Sequence, residues 1–564
     1  MIGPHCQPGS RRVPRATGTV RQAGAGCCWR IYGFLRTAAD FWKRWGLIAG
    51  LLACAHLSGG RGGLAAAEEN SLGALRAALK ADLLYRHVEV LADDSLEGRE
   101  AGERGGQAAA GYLRRQLEDA GVAPGGTEGG YFQLFGRGYR NVIGVLPGQD
   151  HQLRDEYVVV SAHYDHVGYG NRRNSNGPIG YIHNGADDNA SGTATLIELA
   201  RALDQLNPGP RRSILLVFWD AEEKGLLGSE HWVAHPTVPL SQVKLMINMD
   251  MVGRLRGNRL EVVGTRTAAG LREFVSRCNV DPNLTLGFPW LVTNNSDHYS
   301  FIDREIPSLL IHTGLHDDYH RPSDDVEKLN RPGMEQVARF LIQVVVEATE
   351  RDELPTFRAR SRQESSLTQG VYDRPAAEPL PRLGIAWNPD DQPAGIVVRA
   401  VDRDSPADRA GLRPGDVIVG VQGQPLSDPH GFAAIVQGSP RRMPVSVRRA
   451  DAAETAETSE TVNPTWETTI ELRGEPIRWG LSWRANDGEP QVATVSRVVA
   501  GSAAENSGLY VGDRIYDVNG KRFRDSEQLH SMFDELWEAG EGHGAELLIE
   551  RDGQLMPVTI RPTR

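Results

Sequence analysis

Apolar residues in the first two thirds of the chain follow two patterns that alternate with each other. Short continuous apolar runs lie at 141–146, 157–162, 214–219, 244–249 and 307–311, and such runs are typical of strands buried on both faces of a sheet. Leucines and alanines spaced three or four residues apart lie at 71–83, 105–120, 192–203 and just before residue 351, and they predict helices that bury one face. This alternation predicts an α/β fold, a doubly wound and mostly parallel sheet with helices on both faces.

The chain repeats itself beyond residue 380. Residues 405–418 align with residues 502–515 without a gap, and both segments show a small-residue helix pattern, a Gly-Leu turn, a Gly-Asp turn and a strand. A repeat of this length indicates two copies of one domain. Both copies resemble the PDZ domain, which implies two small β-rich domains over 381–473 and 474–564.

Each repeat begins with a segment that resembles the carboxylate-binding loop of PDZ domains, Leu-Gly-Ile at 383–385 and Trp-Gly-Leu at 479–481. The resemblance implies that each domain docks a protein C-terminus by adding it to a sheet edge. Residues 351–380 are rich in Arg, Ser, Gln, Pro and Glu and show no sustained apolar period, so we predict a linker there. The Ala, Glu and Thr tract at 451–461 predicts a solvated loop inside the first repeat.

Charge is distributed unevenly along the chain. Residues 1–67 hold nine Lys and Arg against one acidic residue, Asp40, so they carry about +8 of a total of −11 and leave about −19 for the rest. An acidic body argues against nucleic acid as a partner. The basic segment also contains the apolar stretch 45–53 and small residues at 64–67, which together predict an export signal over 1–67.

The expected location is therefore the periplasm, the cell envelope or the medium. Residues 51–54, Leu-Leu-Ala-Cys, also resemble a bacterial lipoprotein box, so a lipid anchor at Cys54 is the alternative to simple cleavage. Only Cys278 lies outside the predicted signal among the five cysteines. No internal disulfide or thiolate cluster is then expected, and any metal must be held by His, Asp and Glu.

Polar side chains follow the predicted strands at the point where each strand ends. Five candidate ligands occur there, and they are expected to meet at one edge of the sheet because the carboxyl ends of parallel strands lie together. Two imidazoles and three carboxylates without sulfur suit two zinc ions, or cobalt or manganese, that share one carboxylate. The polar clusters are His163-Tyr164-Asp165, residues 185–192, Glu222-Glu223, Asp250 and His320.

Residues 72 to about 350 resemble the bacterial co-catalytic di-zinc aminopeptidase family, whose motifs occur here in order. We therefore expect this domain to span residues 68–350. The resemblance implies the role of each polar residue. His163 and Asp250 would bind one zinc, Glu223 and His320 the other, and Asp187 would bridge them. Glu222 would be the general base, Asp165 would orient His163, and a strained peptide bond would join Asp187 to Asp188.

The function implied is that of an exported metallo-exopeptidase that hydrolyses N-terminal residues from peptides with a hydroxide bridging two zinc ions. Two alternatives remain: acyl transfer of the glutaminyl cyclase type, which uses one zinc, and a catalytically inert PDZ scaffold. The roles of some neighbouring residues also stay open: His183 and His312, His316 as a rival of His320, and residues 296–299 as a substrate contact.

Overall fold

The computed structural model describes residues 72–377, 381–391, 395–426, 429–449, 465–540 and 544–561. The predicted export signal, Cys54, Ser71 and the tract at 451–461 lie outside these residues. Within the described ranges, no helix has both the length and the apolar character needed to cross a bilayer.

The first domain consists of alternating helices and strands. Residues 72–78 are helical, and the remaining helices are α1 Ala81–Leu91, α2 Arg104–Asp119, α3 Gly192–Asp204, α4 Leu227–Ala234, α5 Leu271–Cys278, α6 His298–Ile302 and α7 Arg331–Glu350. The strands are β1 Ala123–Pro124, β2 Phe132–Phe135, β3 Tyr139–Leu146, β4 Tyr157–His163, β5 Ser213–Trp219, β6 Val243–Met249, β7 Arg259–Val263, β8 Thr285–Gly287 and β9 Ser308–His312.

These strands form one sheet in the order β1-β3-β5-β4-β6-β9-β7-β8, with β2 paired to β3. The central strands β5, β4, β6 and β9 are parallel to one another. The flanking pairs β3–β5 and β7–β9 are antiparallel. The predicted sheet of alternating strands and helices is confirmed, but it is mixed because the strands at its flanks reverse direction.

Helices cover both faces of the sheet. Val158 and Val160 of β4 pack into the larger apolar cluster, together with the buried faces of α1, α2, α3 and α7. Val159, between them, packs on the opposite face with Trp232 of α4 and Phe301 of α6. Alternate residues of one strand thus enter two separate cores, which is why its sequence is a continuous apolar run.

The predicted helices agree with the structure except at the beginning of the described chain. The pattern at 71–83 predicted one helix, whereas residues 72–78 and α1 are separated by a break before Ala81. The segment predicted as a linker also contains a helix, α8 Ser366–Asp373. Gln369 of α8 accepts a hydrogen bond from the amide of Trp290 at 3.0 Å, so this segment is anchored to the first domain.

The two repeats form β-rich sheets. The first contains β10 Ile385–Ala386, β11 Ile396–Val397, β12 Ala400–Val401, β13 Val417–Val421, β14 Gln424–Pro425, β15 Arg442–Arg448 and β16 Thr465–Glu471, with helices α9 Pro406–Arg409 and α10 Phe432–Gly438. The second contains β17 Leu481–Asn486, β18 Glu489–Val498, β19 Arg514–Val518, β20 Lys521–Arg522, β21 Ala545–Arg551 and β22 Gln554–Ile560, with helices α11 Ala503–Asn506 and α12 Ser526–Ala539.

The second repeat packs against the first domain beside α5. Arg272 of α5 makes a two-pronged pair with Glu550 of β21, at 2.8 and 3.0 Å, and its guanidinium lies over the Phe288 ring at 4.1 Å. The amide of Leu286 donates to the carbonyl of Asp552 at 2.7 Å. Main-chain and buried charged contacts of this kind make the second repeat part of the same compact unit.

Candidate metal centre

The carboxyl ends of the parallel strands place the polar clusters at one edge of the sheet. His163 is the last residue of β4, Asp250 follows β6 directly, and Glu222 and Glu223 follow β5 after a short turn. His320 reaches the same edge from the loop that follows β9. The predicted convergence of these side chains is therefore present in the structure.

One group of potential ligands, site 1, consists of His163, Asp188 and Asp250. Nε2 of His163 lies 3.4 Å from Oδ1 of Asp188 and 3.3 Å from Oδ1 of Asp250. Ligand atoms of a tetrahedral zinc ion stand about 3.3 Å apart when each bond is about 2.0–2.1 Å long. The spacing in site 1 therefore fits a zinc ion with three protein ligands.

A second group, site 2, consists of His166, Asp188, Glu223 and His320. Nε2 of His320 lies 3.1 Å from Oδ2 of Asp188 and 3.1 Å from Oε2 of Glu223. Oδ2 of Asp188 is buried and has no hydrogen-bond partner among the described residues, and a cation would satisfy it. The donor set of nitrogen and carboxylate oxygen atoms suits zinc in both sites.

Asp188, rather than Asp187, lies between the two sites. The two carboxylate oxygens of Asp188 face different sites, so the predicted bridging role of Asp187 is wrong in this structure by one position. Oδ1 of Asp187 accepts hydrogen bonds from the amide of Gly253 at 2.6 Å and from Ser191 Oγ at 3.0 Å. Its Oδ2 lies 3.2 Å from Nε2 of His316. Asp187 therefore fixes the start of the helical segment instead of facing the sites.

The unusual peptide bond also lies one position later than predicted. The bond between Asp188 and Asn189 is cis, whereas the prediction placed a strained bond between Asp187 and Asp188. The Asn189 side chain holds this part of the loop, since its amide donates to the carbonyl of Met249 at 2.9 Å and its oxygen accepts from Gly192 N at 3.0 Å. Met249 is the last residue of β6, so the end of this strand holds the loop in the position in which Asp188, and not Asp187, enters the sites.

The Asp165 carboxylate contacts the backbone of the acidic pair rather than His163. Its two oxygens accept hydrogen bonds from the amides of Glu222 at 3.0 Å and Glu223 at 3.3 Å. Nδ1 of His163 lies 3.9 Å from the carboxylate but 3.2 Å from the main-chain oxygen of Asp165. The predicted orientation of His163 by the Asp165 side chain therefore needs correction: the backbone carbonyl faces the ring, and the side chain positions the two glutamates.

A further carboxylate, Asp324, connects two ligand-bearing loops. Its Oδ2 accepts hydrogen bonds from the amides of Asp187 at 3.0 Å and Asp188 at 3.1 Å. Its Oδ1 pairs with Arg254 at 2.5 Å, and Arg254 in turn pairs with Asp318 at 2.7 Å. Asp324 lies four positions after His320, so one buried side chain sets the distance between the loops that carry Asp188 and His320.

Three non-glycine residues at this edge adopt left-handed backbone conformations. They are Ala221 with φ 58°, Met251 with φ 57° and His320 with φ 54°. Such conformations are costly for residues with a side chain and tend to occur at functional sites. Here Ala221 precedes the acidic pair and Met251 follows Asp250, so the strain is located where ligand side chains must turn inward.

The site concentrates negative charge. Burial raises the pKa of Glu222 well above its usual range, and the nearby carboxylates of Glu223 and Asp297 raise it further. The pKa of His320 rises to about 10 although burial opposes this rise, because the Asp188 and Glu223 carboxylates lie beside its ring. Buried carboxylates at this density favour a bound cation.

A cavity of about 150 Å³ opens onto both sites. It is lined by ligands of both sites and by Glu222, together with Met251, Asn295, Leu310, His312, Leu315 and Tyr319. Glu222 therefore faces the same space as the ligand atoms, where a substrate and a water molecule could meet.

Comparison with known proteins gives this site a family. Residues 141–345 match Peptidase family M28. The chain carries an M28 peptidase domain. Residues 397–449 and 467–532 each match the PDZ domain, so two PDZ domains follow the M28 domain.

Two curated relatives match parts of the chain. Aminopeptidase YwaD from Bacillus subtilis (strain 168) is 28% identical over 226 residues, which cover 38% of this chain and 46% of the relative. Leucine aminopeptidase 1 from Arthroderma gypseum is 28% identical over 269 residues, 43% of this chain and 67% of the relative. The chain thus spans about half the length of the first of these proteins.

Among solved structures, the LapA aminopeptidase of Legionella pneumophila matches with a TM-score of 0.43 and 21% identity, over 50% of this chain and 76% of that chain.

Sequence reasoning missed His166 of the M28 domain and left several other histidines undecided. His166 lies three positions after His163, in the loop that follows β4, and this short distance along the chain was the available signal. His316 pairs with Asp187, whereas His320 lies in site 2. Nδ1 of His312 contacts the carbonyl of Asp250 at 2.9 Å, so His312 contacts the main chain of a site 1 residue and also lines the cavity.

The two remaining open assignments lie beside the M28 site. His183 contacts Ser175 Oγ at 2.7 Å and the Tyr181 carbonyl at 2.9 Å, outside both ligand groups. In the segment 296–299, Asp297 and His298 are fully buried, and burial raises the pKa of Asp297 to about 7.

Proposed function

We propose that this protein is an exported zinc-dependent aminopeptidase that removes N-terminal residues from peptides and binds two metal ions. The observation that carries the proposal is that two ligand groups share Asp188 and open onto one cavity that also contains Glu222. The match to Peptidase family M28 supports a peptidase activity. The curated relatives named aminopeptidases support an exopeptidase that acts at the N-terminus.

In this proposal, site 1 would hold one zinc ion through His163 and Asp250, site 2 would hold the other through Glu223 and His320, and Asp188 would contact both. Bound there, the ions would polarise the scissile carbonyl and lower the pKa of the attacking water. Glu222 would accept the proton of that water and return it to the leaving amine.

The residues around these side chains keep them in place before substrate arrives. Asp165 holds the backbone of Glu222 and Glu223 through two amide hydrogen bonds. Arg99, fully buried, donates to the carbonyl of Tyr164 at 2.8 Å and to that of Gly185 at 2.9 Å. The two glutamates and the neighbouring loops are thus fixed beside the strand ends. Such fixed positions are what efficient catalysis requires.

The test is hydrolysis of peptides by the full chain loaded with zinc. We expect release of N-terminal residues from aminoacyl anilides and free peptides, no cleavage of the same peptides after N-acetylation, and loss of activity on chelation. Glu222→Gln should lower kcat by about 10²–10⁴-fold with little change in KM, because it removes the proton acceptor and keeps the side-chain volume.

The proposal would be contradicted if the protein with two zinc equivalents bound cut none of these peptides. Cleavage of acetylated peptides at the same rate as free peptides would also contradict it. Mass spectrometry of the products separates the main alternative: conversion of N-terminal glutamine to pyroglutamate without hydrolysis would favour acyl transfer.

The PDZ domains are proposed to dock C-terminal peptides of substrates or partners. Supporting this, β17 pairs only with β18 among the described strands, so one of its edges is open to an added strand. Gly480, at the loop before β17, has φ +76°, and a Cβ there would come within 2.0 Å of Ser502. Binding of peptides with a free C-terminal carboxylate, but not of their amides, would test this role.

Export is proposed from the basic and apolar pattern of residues 1–67. Fractionation of cells that express the full chain should recover the protein from the envelope, the periplasm or the medium. Lipid labelling that depends on Cys54 would identify an anchor, and recovery from the cytosol alone would contradict export.

A further inference from the structure

We propose that His166 is a fourth protein ligand of site 2, which makes the two metal sites unequal. Site 2 would then be closed by protein atoms, whereas site 1, with three ligands, would keep an open position toward the substrate. This inference rests on the proposed two-metal function, and it assigns to His166 a role that the five predicted ligands do not include.

The first observation is the position of the imidazole. Nδ1 of His166 lies 2.9 Å from Oε1 of Glu223 and 3.8 Å from Oδ2 of Asp188. Its ring meets the ring of His320 edge-on, with the centroids 5.5 Å apart. One nitrogen of His166 thus faces the same small volume as the three other ligand atoms of site 2, all of which lie within 4.8 Å of one another.

The second observation is the burial of the ring. His166 is 1% exposed, and its other nitrogen, Nε2, has no hydrogen-bond partner among the described residues. Buried polar atoms normally have a partner. All side-chain polar contacts of this imidazole are therefore on the side of site 2, and the unpartnered Oδ2 of Asp188 points to a missing cation between them.

The third observation is that the surrounding backbone leaves room for this ring. Gly185 has φ +55°, and a Cβ at that position would come within 2.5 Å of Cδ2 of His166. The amide of His166 donates to the carbonyl of Arg99 at 3.2 Å. The ring is thus held between a glycine and the carboxylates, as expected for a side chain fixed in a ligand position.

The number of ligands predicts how the two sites fill. Four protein ligands complete the tetrahedral coordination typical of a closed zinc site, whereas three leave a position for water or substrate. We therefore expect the first ion to enter site 2 and to bind at least about tenfold more tightly than the second. Site 1 would be the site where the ion is exchanged and where substrate oxygen approaches.

A different role for His166 would be to hydrogen-bond Glu223 without touching the metal. His166→Asn separates the two roles, because the asparagine amide can still donate to Glu223 but cannot replace the imidazole as a zinc ligand. His166→Asp is the matched rescue, since it returns a ligand atom at a similar distance from the backbone. His183→Gln is the control, as it removes a buried imidazole from the neighbouring loop outside both ligand groups.

The experiment is titration of the metal-free full chain with Co²⁺, followed by proton NMR in water. With one equivalent bound, we expect two strongly shifted imidazole N–H signals in the wild type and in His183→Gln, from His166 and His320, and one signal in His166→Asn. In His166→Asn the first ion should bind at least about tenfold less tightly than in the wild type, because site 2 loses its advantage over site 1, and this affinity should recover partly in His166→Asp.

A single shifted N–H signal in the wild type at one equivalent would overturn the inference, as would an unchanged affinity in His166→Asn. Circular dichroism of each metal-free variant separates a ligand defect from misfolding. Either negative result would leave peptide hydrolysis by Glu222 untouched, so a failure of this inference is distinguishable from a failure of the proposed function.

Discussion

Neighbouring carboxylates of this site have different contacts and therefore different tasks. Asp188 faces both metal sites, whereas Asp187 is held by Gly253 and Ser191 at the beginning of the following helix. Glu223 contacts the two histidines of site 2, while Glu222 lines the cavity. Binding a metal ion and accepting a proton require separate carboxylates. The adjacent residues Glu223 and Glu222 provide them, because successive side chains point in different directions.

At the scale of elements, the M28 site depends on how loops are joined to each other. The loop at 185–192 carries Asp188 and the loop at 316–325 carries His320, and these loops are far apart in sequence. Asp324 accepts both amides of the Asp187–Asp188 segment, and its own carbonyl accepts from Ala186 N at 2.9 Å. Three hydrogen bonds to Asp324 therefore join the two loops to each other.

We predict that Asp324→Ala lowers zinc affinity by about 10–100-fold, the usual cost of losing a partner that supports the ligands. The main-chain amides of Asp187 and Asp188 would lose their hydrogen-bond acceptor, and Arg254 would lose its buried partner. Competition with a zinc chelator measures the effect.

The control for this prediction is Asp317→Asn, which changes an exposed carboxylate in the same loop and should leave zinc affinity unchanged. Wild-type affinity in Asp324→Ala would show that the loops are positioned without this carboxylate.

At the scale of the whole molecule, the second PDZ domain is attached to the M28 domain by buried charges. Glu550 is fully buried and Arg272 is 11% exposed. Nearby, Arg266 lies over the Trp290 ring at 3.7 Å and pairs with Glu364 at 2.6 Å. The segment after Trp290 continues to Asn295, which lines the cavity, so the domain contact and the site are connected along the chain.

Arg272→Ala should weaken this contact strongly, because removal of one partner from a buried ion pair costs about 3–5 kcal/mol. Thermal unfolding followed by calorimetry should show a lower midpoint for the second PDZ domain or a new separate transition.

Arg522→Ala is the matched comparison, since Arg522 pairs with Glu273 at the edge of the same contact and is 44% exposed. Its loss should cost about 0–1 kcal/mol. Equal effects of the two substitutions would mean that the buried pair does not hold the domains together.

The sequence predicts the frame of this molecule well because strand and helix patterns are local. The five apolar runs correspond to β3, β4, β5, β6 and β9, and the polar residues after four of them meet at one edge. The direction of β3 could not be read from its run, since a buried strand has the same composition whether its neighbour is parallel or antiparallel, and β7 does not follow from any of the five runs.

The details of the site depend on contacts between distant residues. The choice between Asp187 and Asp188 is made by the Asn189 side chain, which contacts the end of β6, and by Asp324. Helix α8 depends on Trp290 and on the second PDZ domain, where Tyr372 donates to Thr494 at 2.9 Å. No local pattern reports these contacts.

Anomalous diffraction at the zinc absorption edge, from crystals of the zinc-loaded full chain, tests the shared carboxylate most directly. We predict two peaks, one between His163 and Asp250 and one beside Glu223 and His320, with Asp188 touching both. Peaks that share Asp187, or zinc bound away from this edge of the sheet, would contradict the account.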